Sequence, residues 1–314
     1  MIQQTDYRIP SADRHDQLLL RNKCLGDSPS GDPAKTVLFV HGATYGSSDT
    51  FDYAVEGQSW MDQLASQGFD AWCLDLLGYG KSDRPQAMDA DPAANAPLVD
   101  TAHAVVEVNH AVNHIFASRN ISKLNLIGYS WGTAICGTYA GQYPQDVHRL
   151  VLSGALWLQG LKPTGVSPAG LGAYRTVTVE SMMKRWATGL TEEEINQLIS
   201  APDRLAWCQH TASCDPHFAS TGMLRAPTGV MKDYAQCRES GQDWYDPSLI
   251  RCPVFIIVGE LDQETTPAQG QQLLSRLTGT ASSTLTVVDQ GTHSLLLERN
   301  RHQLHAAVQA FLQG

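Results

Sequence analysis

The sequence predicts an α/β fold: a mostly parallel β-sheet flanked by helices and interrupted by a helical insertion. Short continuous runs of Val, Ile and Leu recur along the chain and end in turn residues, as strands buried on both faces do. Longer helix-like stretches separate them, the alternation of βαβ units with right-handed crossovers. One region, 156–247, holds no strong strand candidate.

In chain order, "DYRIPS" and "QLLLRNKCL" suit an antiparallel pair at a sheet edge. Buried strands are then expected in "KTVLFVHG" (35–42), "GFDAWCLD" (68–75), "SKLNLIGYSWG" (122–132), "HRLVLSGALW" (148–157), "CPVFIIVGE" (252–260) and "STLTVVDQG" (283–291). Helix-like runs lie at 58–67, 99–119, 133–143, 267–278 and 298–312. Inside the insertion, "RTVTVESMMKRWA" and "TEEEINQLIS" read as helices. The second opens on Thr191 with Glu194 three positions on, a capping box. Trp157, Trp186, Trp207 and Trp244 also fall in this region. The expected organisation is a core of 1–155 and 248–314 around an insertion of 156–247.

Composition narrows the function. With 314 residues, 42% of them hydrophobic and 17% charged, the chain reads as globular with a sizeable core. A formal net charge of −10 repels phosphate backbones, so nucleic acid is not an expected partner. The N-terminus has Leu18-Leu19-Leu20 as its one apolar run, too short for a signal peptide. No segment approaches the ~20 apolar residues of a bilayer span. No membrane partner and a cytoplasmic location are expected, with the seven scattered cysteines as reduced thiols. Cys208, His210, Cys214 and His217 are close in sequence, but their spacing matches no common structural zinc site. No metal is expected.

The chemistry centres on Gly128-Tyr129-Ser130-Trp131-Gly132, a G-x-S-x-G pentapeptide between a predicted strand and a helix-like run. A strained turn there would lift the serine hydroxyl above the sheet, and the glycines would allow backbones to approach. The following helix N-terminus points N–H groups at the site and favours negative charge. The bland alternative is a serine in a glycine-rich turn. A serine needs a base. His293 sits in a loop between the last strand and the C-terminal helix, whereas His302 and His305 lie within that helix and are expected to face solvent. His103, His110 and His114 share one helix-like run and suit surface or core roles. Asp262, after the fifth buried strand, can orient the base; Glu260 competes, and spacing alone does not separate them. The order Ser130, Asp262, His293 is nucleophile, acid, base. Two N–H donors are expected for an oxyanion, from Trp131 and from Ala43 in the loop His41-Gly42-Ala43-Thr44. Each is worth about 3–4 kcal/mol of transition-state stabilisation. His41 is expected to hold that loop.

With these residues in place, the chain resembles the α/β-hydrolase superfamily, of the type with a helical cap after the sixth sheet strand. The resemblance rests on "VLFVHGATYGSSDTF", "DAWCLDLLGYGKSDRP", "LNLIGYSWG", "HRLVLSGA", "CPVFIIVGELDQETTP" and "GTHSLLLE", in the family's order. It implies an eight-stranded, mostly parallel sheet flanked by helices and no cofactor. It carries over Ser130 as nucleophile, His293 as base, Asp262 as acid, and Ala43 and Trp131 as oxyanion donors. The chain departs from the pattern at Thr292, where relatives often have Gly before the histidine.

A serine nucleophile sets the chain apart from relatives that use Asp to open halides and epoxides. Hydrolysis of a carboxylic ester through an acyl-enzyme leads, with a small-molecule substrate and a monomer or homodimer. The same triad also serves thioesterases, lactonases, amidases, proline iminopeptidases and C–C bond hydrolases. A reading of another class is a non-catalytic receptor for a small ligand. Thr44, Trp157 and Trp186 are the expected pocket residues, which favours an apolar or aromatic substrate group; equally, the tryptophans could form the insertion's own core. Arg175, Lys184, Arg185 and Arg204 could meet a substrate carboxylate.

Overall fold

The computed structural model describes residues 1–26, 31–157 and 170–314. The chain opens with β1 (Ile2–Pro10), β2 (Gln17–Leu25), β3 (Thr36–Val40), α1 (Ser47–Thr50), α2 (Trp60–Ser66) and β4 (Asp70–Leu74). It continues through α3 (Thr101–Arg119), β5 (Leu124–Tyr129), α4 (Trp131–Gln142) and β6 (Val147–Ser153). The insertion carries β7 (Tyr174–Thr178), α5 (Val179–Trp186), α6 (Glu192–Leu198), α7 (Ala201–Ala212), α8 (Phe218–Thr221), β8 (Met223–Pro227) and α9 (Gly229–Ser240). The core resumes with β9 (Val254–Gly259), α10 (Pro267–Arg276), β10 (Ser283–Val288) and α11 (Arg301–Gln313).

Among the described residues the main sheet has eight strands in the order β1-β2-β4-β3-β5-β6-β9-β10. β1 and β2 form the antiparallel edge pair, and β2 meets β4 antiparallel; from β4 to β10 every pairing is parallel. This is the architecture of the α/β-hydrolase fold. The central strands are mostly apolar because helices cover both faces. β3, β4 and β9 are buried at every position. Alternate residues supply opposite layers, as the strand period of two requires: Leu38, Leu126 and Ile256 pack with α3 and α4, and Phe39, Ile127 and Ile257 pack with α2 and α11. Each such side chain contributes about 1.5–3 kcal/mol on burial.

Caps set several helix starts. Asp100 accepts from the His103 N–H at the head of α3. Thr191 and Glu194 form the expected reciprocal capping box of α6. No helix among the described residues is long and apolar enough to cross a membrane.

Three expectations change. "RTVT" is not helical: Tyr174–Thr178 pairs antiparallel with Met223–Pro227 as a two-stranded ribbon. The β-branched run Thr176-Val177-Thr178 favours the strand, and α5 starts one residue later, where Thr178 and Ser181 form a capping box. His305 does not face solvent. It is 5% exposed and stacks on Trp60 with ring centroids 4.7 Å apart, and burial pulls its pKa down to about 3. The tryptophans do not make a separate core either. Trp186 and Trp207 continue the α2/α11 layer of the sheet, and Trp157 belongs to the opposite layer. Residues 158–169 of the insertion lie outside the described residues.

Candidate active site

Ser130 sits between the end of β5 and the start of α4, with φ 54° and ψ −123°. A non-glycine residue in this region costs about 1–3 kcal/mol, and the surroundings must impose it. They do so through close backbone packing. A methyl group on Gly128 would strike the Gly132 carbonyl, and one on Gly132 would strike the carbonyls of Val40 and His41. The Ser130 N–H donates to the Ser153 carbonyl at 3.0 Å, tying the turn to β6.

The structure brings Ser130, His293 and Asp262 together. His293 Nε2 lies 2.9 Å from Ser130 Oγ, and His293 Nδ1 lies 2.8 Å from Asp262 Oδ2. Asp262 is 2% exposed. Its Oδ1 accepts from the Glu264 and Thr265 N–H groups, each at 2.8 Å, and its Oδ2 accepts from Thr265 Oγ1 at 2.7 Å. Three fixed donors thus aim the carboxylate at the imidazole. Glu260, the competing acid, accepts instead from the Gln290 N–H at 3.1 Å. Burial opposes a charged His293, but the Asp262 and Glu264 carboxylates outweigh it and raise the pKa above its ordinary 6.5.

The His293 imidazole is held from behind as well. Gly154, with φ 60°, leaves room for the imidazole: a methyl there would sit 3.2 Å from His293 Cε1. Tyr129 donates its hydroxyl to the His293 carbonyl at 2.8 Å. Thr292, the departure from the family pattern, is bound to Glu298 through both its N–H (3.0 Å) and its hydroxyl. Glu298 also accepts from Trp186 Nε1 at 3.0 Å. One buried carboxylate therefore links the histidine loop to the insertion.

The two candidate oxyanion donors flank Ser130. Trp131 is the first residue of α4, so its N–H has no intrahelical acceptor. Gly42, just before Ala43, lies against Ser130; a methyl on it would sit 2.7 Å from Ser130 Cβ. His41 braces the loop. It contacts the Gly42 carbonyl through Nδ1 (2.7 Å) and accepts from the Leu76 N–H through Nε2 (3.1 Å). Burial pulls its pKa down to about 4, so it is neutral. The Trp131 ring is fully buried, and its Nε1 donates to Thr101 Oγ1 at 3.0 Å.

Above Ser130 and His293 lies a cavity of about 30 Å³, room for roughly two waters. Tyr45, Met182, Arg185, Trp186, Trp207 and Glu264 close it. Of the expected pocket residues, Trp186 lines it. Thr44 is displaced to one side, where its hydroxyl accepts from Arg175 Nη2 at 2.6 Å. Trp157 is packed in the other layer, with the Arg276 guanidinium 5.3 Å from its ring centroid. Glu264 and Arg185 were not foreseen as a pair. Arg185 donates to Glu264 through Nε (2.7 Å) and Nη2, and Glu264 lies 3.7 Å from His293 Nε2. Burial would raise the Glu264 pKa, but the charges of His293, Arg185 and Arg175 hold it at about 2. Two loop residues and a helix of the insertion meet here, a juxtaposition that no local sequence pattern carries.

The remaining cations separate. Arg204 pairs with Glu192 at 3.0 Å, and Lys184 is exposed. The cysteine–histidine cluster also separates: His210 approaches Asp49 (3.2 Å) and His217 approaches Asp89 (3.5 Å). Among the described residues no three potential ligands gather around a metal position.

Comparison with known proteins places this geometry. The family model for serine aminopeptidase S33 hydrolases matches residues 31–300. The structure resembles a 2-hydroxy-6-oxo-6-phenylhexa-2,4-dienoate hydrolase from Rhodococcus sp. strain RHA1, with TM-score 0.63, 16% identity and 99% of each chain covered. It also resembles an esterase from Exiguobacterium antarcticum, with TM-score 0.61, 16% identity, and 99% of this chain and all of that one covered. At that identity the likeness establishes the fold. Among curated sequences, a probable 1-acylglycerol-3-phosphate O-acyltransferase of Oryza sativa subsp. japonica is 30% identical over 126 residues, 40% of this chain and 26% of that one. The chain thus spans about a quarter of that relative's length.

Proposed function

Since the chain belongs to the serine aminopeptidase S33 family of α/β hydrolases, we propose that it hydrolyses a carboxylic ester of a small substrate through an acyl-enzyme on Ser130. The observation that carries this reading is the pair of hydrogen bonds joining Ser130 Oγ, His293 and Asp262 at the strained turn. Segment 156–247 acts as a cap over that site.

In this mechanism His293 Nε2 takes the Ser130 proton as Oγ attacks the ester carbonyl. Asp262 holds the Nδ1–H tautomer and stabilises the imidazolium. The N–H groups of Ala43 and Trp131 receive the oxyanion. As the intermediate collapses, His293 passes the proton to the leaving alcohol. Water, deprotonated by the same nitrogen, then releases the acid and restores Ser130. Trp186 and Trp207 beside the cavity favour an apolar or aromatic group there.

The test is a panel of aryl, alkyl, thio- and lactone esters, together with a ring-cleavage dienoate. The reading predicts turnover of simple esters that vanishes in Ser130→Ala. Turnover confined to the dienoate would make the protein a C–C bond hydrolase. Tight binding without any turnover would make it a receptor.

A further inference from the structure

Two cavities meet at one side chain. The first, of about 30 Å³, lies beside Ser130 and His293. The second, of about 210 Å³, lies between segment 53–56, the end of α6, the start of α7 and Leu297. Among the described residues that line them, Trp207 alone belongs to both. It stands on α7 one turn after Asp203, which lines the second cavity. The indole is 4% exposed and held from several sides. Its Nε1 donates to the Asp49 carbonyl of α1 at 2.9 Å. The rings of Tyr45 and Trp186, both of the first cavity, meet it edge-on with centroids 4.8 and 5.3 Å away. The indole is therefore a fixed wall shared by the two cavities.

The second cavity suits a neutral chain. Val55, Leu198, Ile199 and Leu297, with the rings of Tyr53 and Trp207, give it an apolar wall. Its two acids and two arginines balance in charge and are already engaged. Arg301 Nη2 donates to Glu56 at 2.6 Å, the Ser200 hydroxyl donates to Asp203 at 2.6 Å, and Arg299 Nη1 donates to the Gln197 carbonyl at 3.1 Å. A charged group entering there would lose water without gaining a free counter-charge, whereas a hydrocarbon chain would exchange water for apolar surface.

We propose that Trp207 limits the length of the ester group lodged beside Ser130, which makes the preferred substrate a neutral ester with a short chain. This rests on the ester-hydrolase reading and deepens it. A chain that grows from the reacting carbonyl into the first cavity ends against the indole. Behind the indole lies the larger, apolar cavity, which a longer chain reaches only when the side chain at 207 is smaller. Apolar pockets discriminate by about 10- to 200-fold for a single methylene when the wall is fixed. Tyr45, Trp186 and the Asp49 carbonyl fix this one.

The experiment measures kcat/KM along two series: 4-nitrophenyl acetate to octanoate, which lengthens the acyl group, and ethyl to octyl acetate, which lengthens the alcohol. In one series the wild type is expected to lose about 10-fold or more between the two-carbon and eight-carbon members, and that series identifies the group held in the first cavity. Trp207→Ala should raise the eight-carbon to two-carbon ratio in that series by about 10-fold or more, and Trp207→Leu by less. A merely structural loss lowers both members alike and leaves the ratio unmoved. Trp207→Phe serves if the smaller variants do not fold. A flat wild-type profile in both series, or a ratio unchanged in the folded variants, overturns the proposal. If the wild type cleaves no ester, the hydrolase reading fails and a binding arm alone decides. It compares the melting shift given by octanamide with that given by acetamide. A larger difference in Trp207→Leu than in the wild type upholds Trp207 as the size limit, and an equal difference overturns it.

Discussion

At Asp262 three protein donors fix one carboxylate so that it meets one imidazole. Asp262→Asn should therefore lower kcat by about 10⁴-fold, since the amide stabilises the wrong tautomer of His293. Glu260→Gln should leave kcat within a few-fold, because Glu260 holds Gln290; steady-state kinetics on one ester checks both. Sequence spacing left these two acids unresolved because alternate residues at a strand end diverge in ways that only the turn decides. Glu264, after Asp262, is one of the two carboxylates that raise the His293 pKa. In its proposed role of base His293 must be neutral, and its raised pKa would put the acid limb of kcat/KM above pH 6.5. Glu264→Gln removes one of the two carboxylates that raise it, so the limb should move to lower pH. An unmoved or upward-moving limb would contradict the assigned electrostatics. Ser130 and His293 were legible because a nucleophile turn and a loop histidine are local patterns; Glu264 was not, since its role depends on Arg185, which lies in another element.

The β5–turn–α4 unit turns sequence into a reactive geometry, and its glycines are the readable part. Gly132→Ala should be strongly destabilising, since the added methyl meets the carbonyls of Val40 and His41, which cannot move without shifting β3. Overpacking of this kind costs about 1–3 kcal/mol, read as a lowered urea midpoint at constant slope. An unchanged midpoint would show that the turn is not packed this tightly. Periodicity located the buried strands because continuous apolar runs have few other uses. It failed at Tyr174–Thr178, where a short half-exposed strand adjoins a helix and amphipathic spacing bridges the two. It also misplaced His305, whose neighbour across space is Trp60, a contact between α11 and α2.

Across the whole molecule, Met182, Arg185, Trp186 and Trp207 of segment 156–247 wall the cavity beside Ser130 and His293. The Arg185–Glu264 ion pair is the tie between α5 and the acid loop. Glu264 has its pKa lowered to about 2 from an ordinary 4.5. A lowered carboxylate stabilises the fold above its unfolded pKa, and that contribution fades as pH falls from 4.5 toward 2. Wild type should therefore melt above Glu264→Gln at pH 6, and the gap should close toward pH 2. A gap independent of pH would remove the ion pair from this account. The break in strand spacing over 156–247 was visible in the chain. The closeness of the fit was not, because Trp186 and Trp207 join the core layer through contacts distant in sequence.

The central claim is that Ser130 carries the acyl group, and intact-mass spectrometry during turnover of a 4-nitrophenyl ester tests it most directly. The account predicts a burst of one equivalent of nitrophenolate, one acyl adduct mapped to Ser130, and neither in Ser130→Ala. Turnover that persists in Ser130→Ala, or an adduct on another residue, would contradict it.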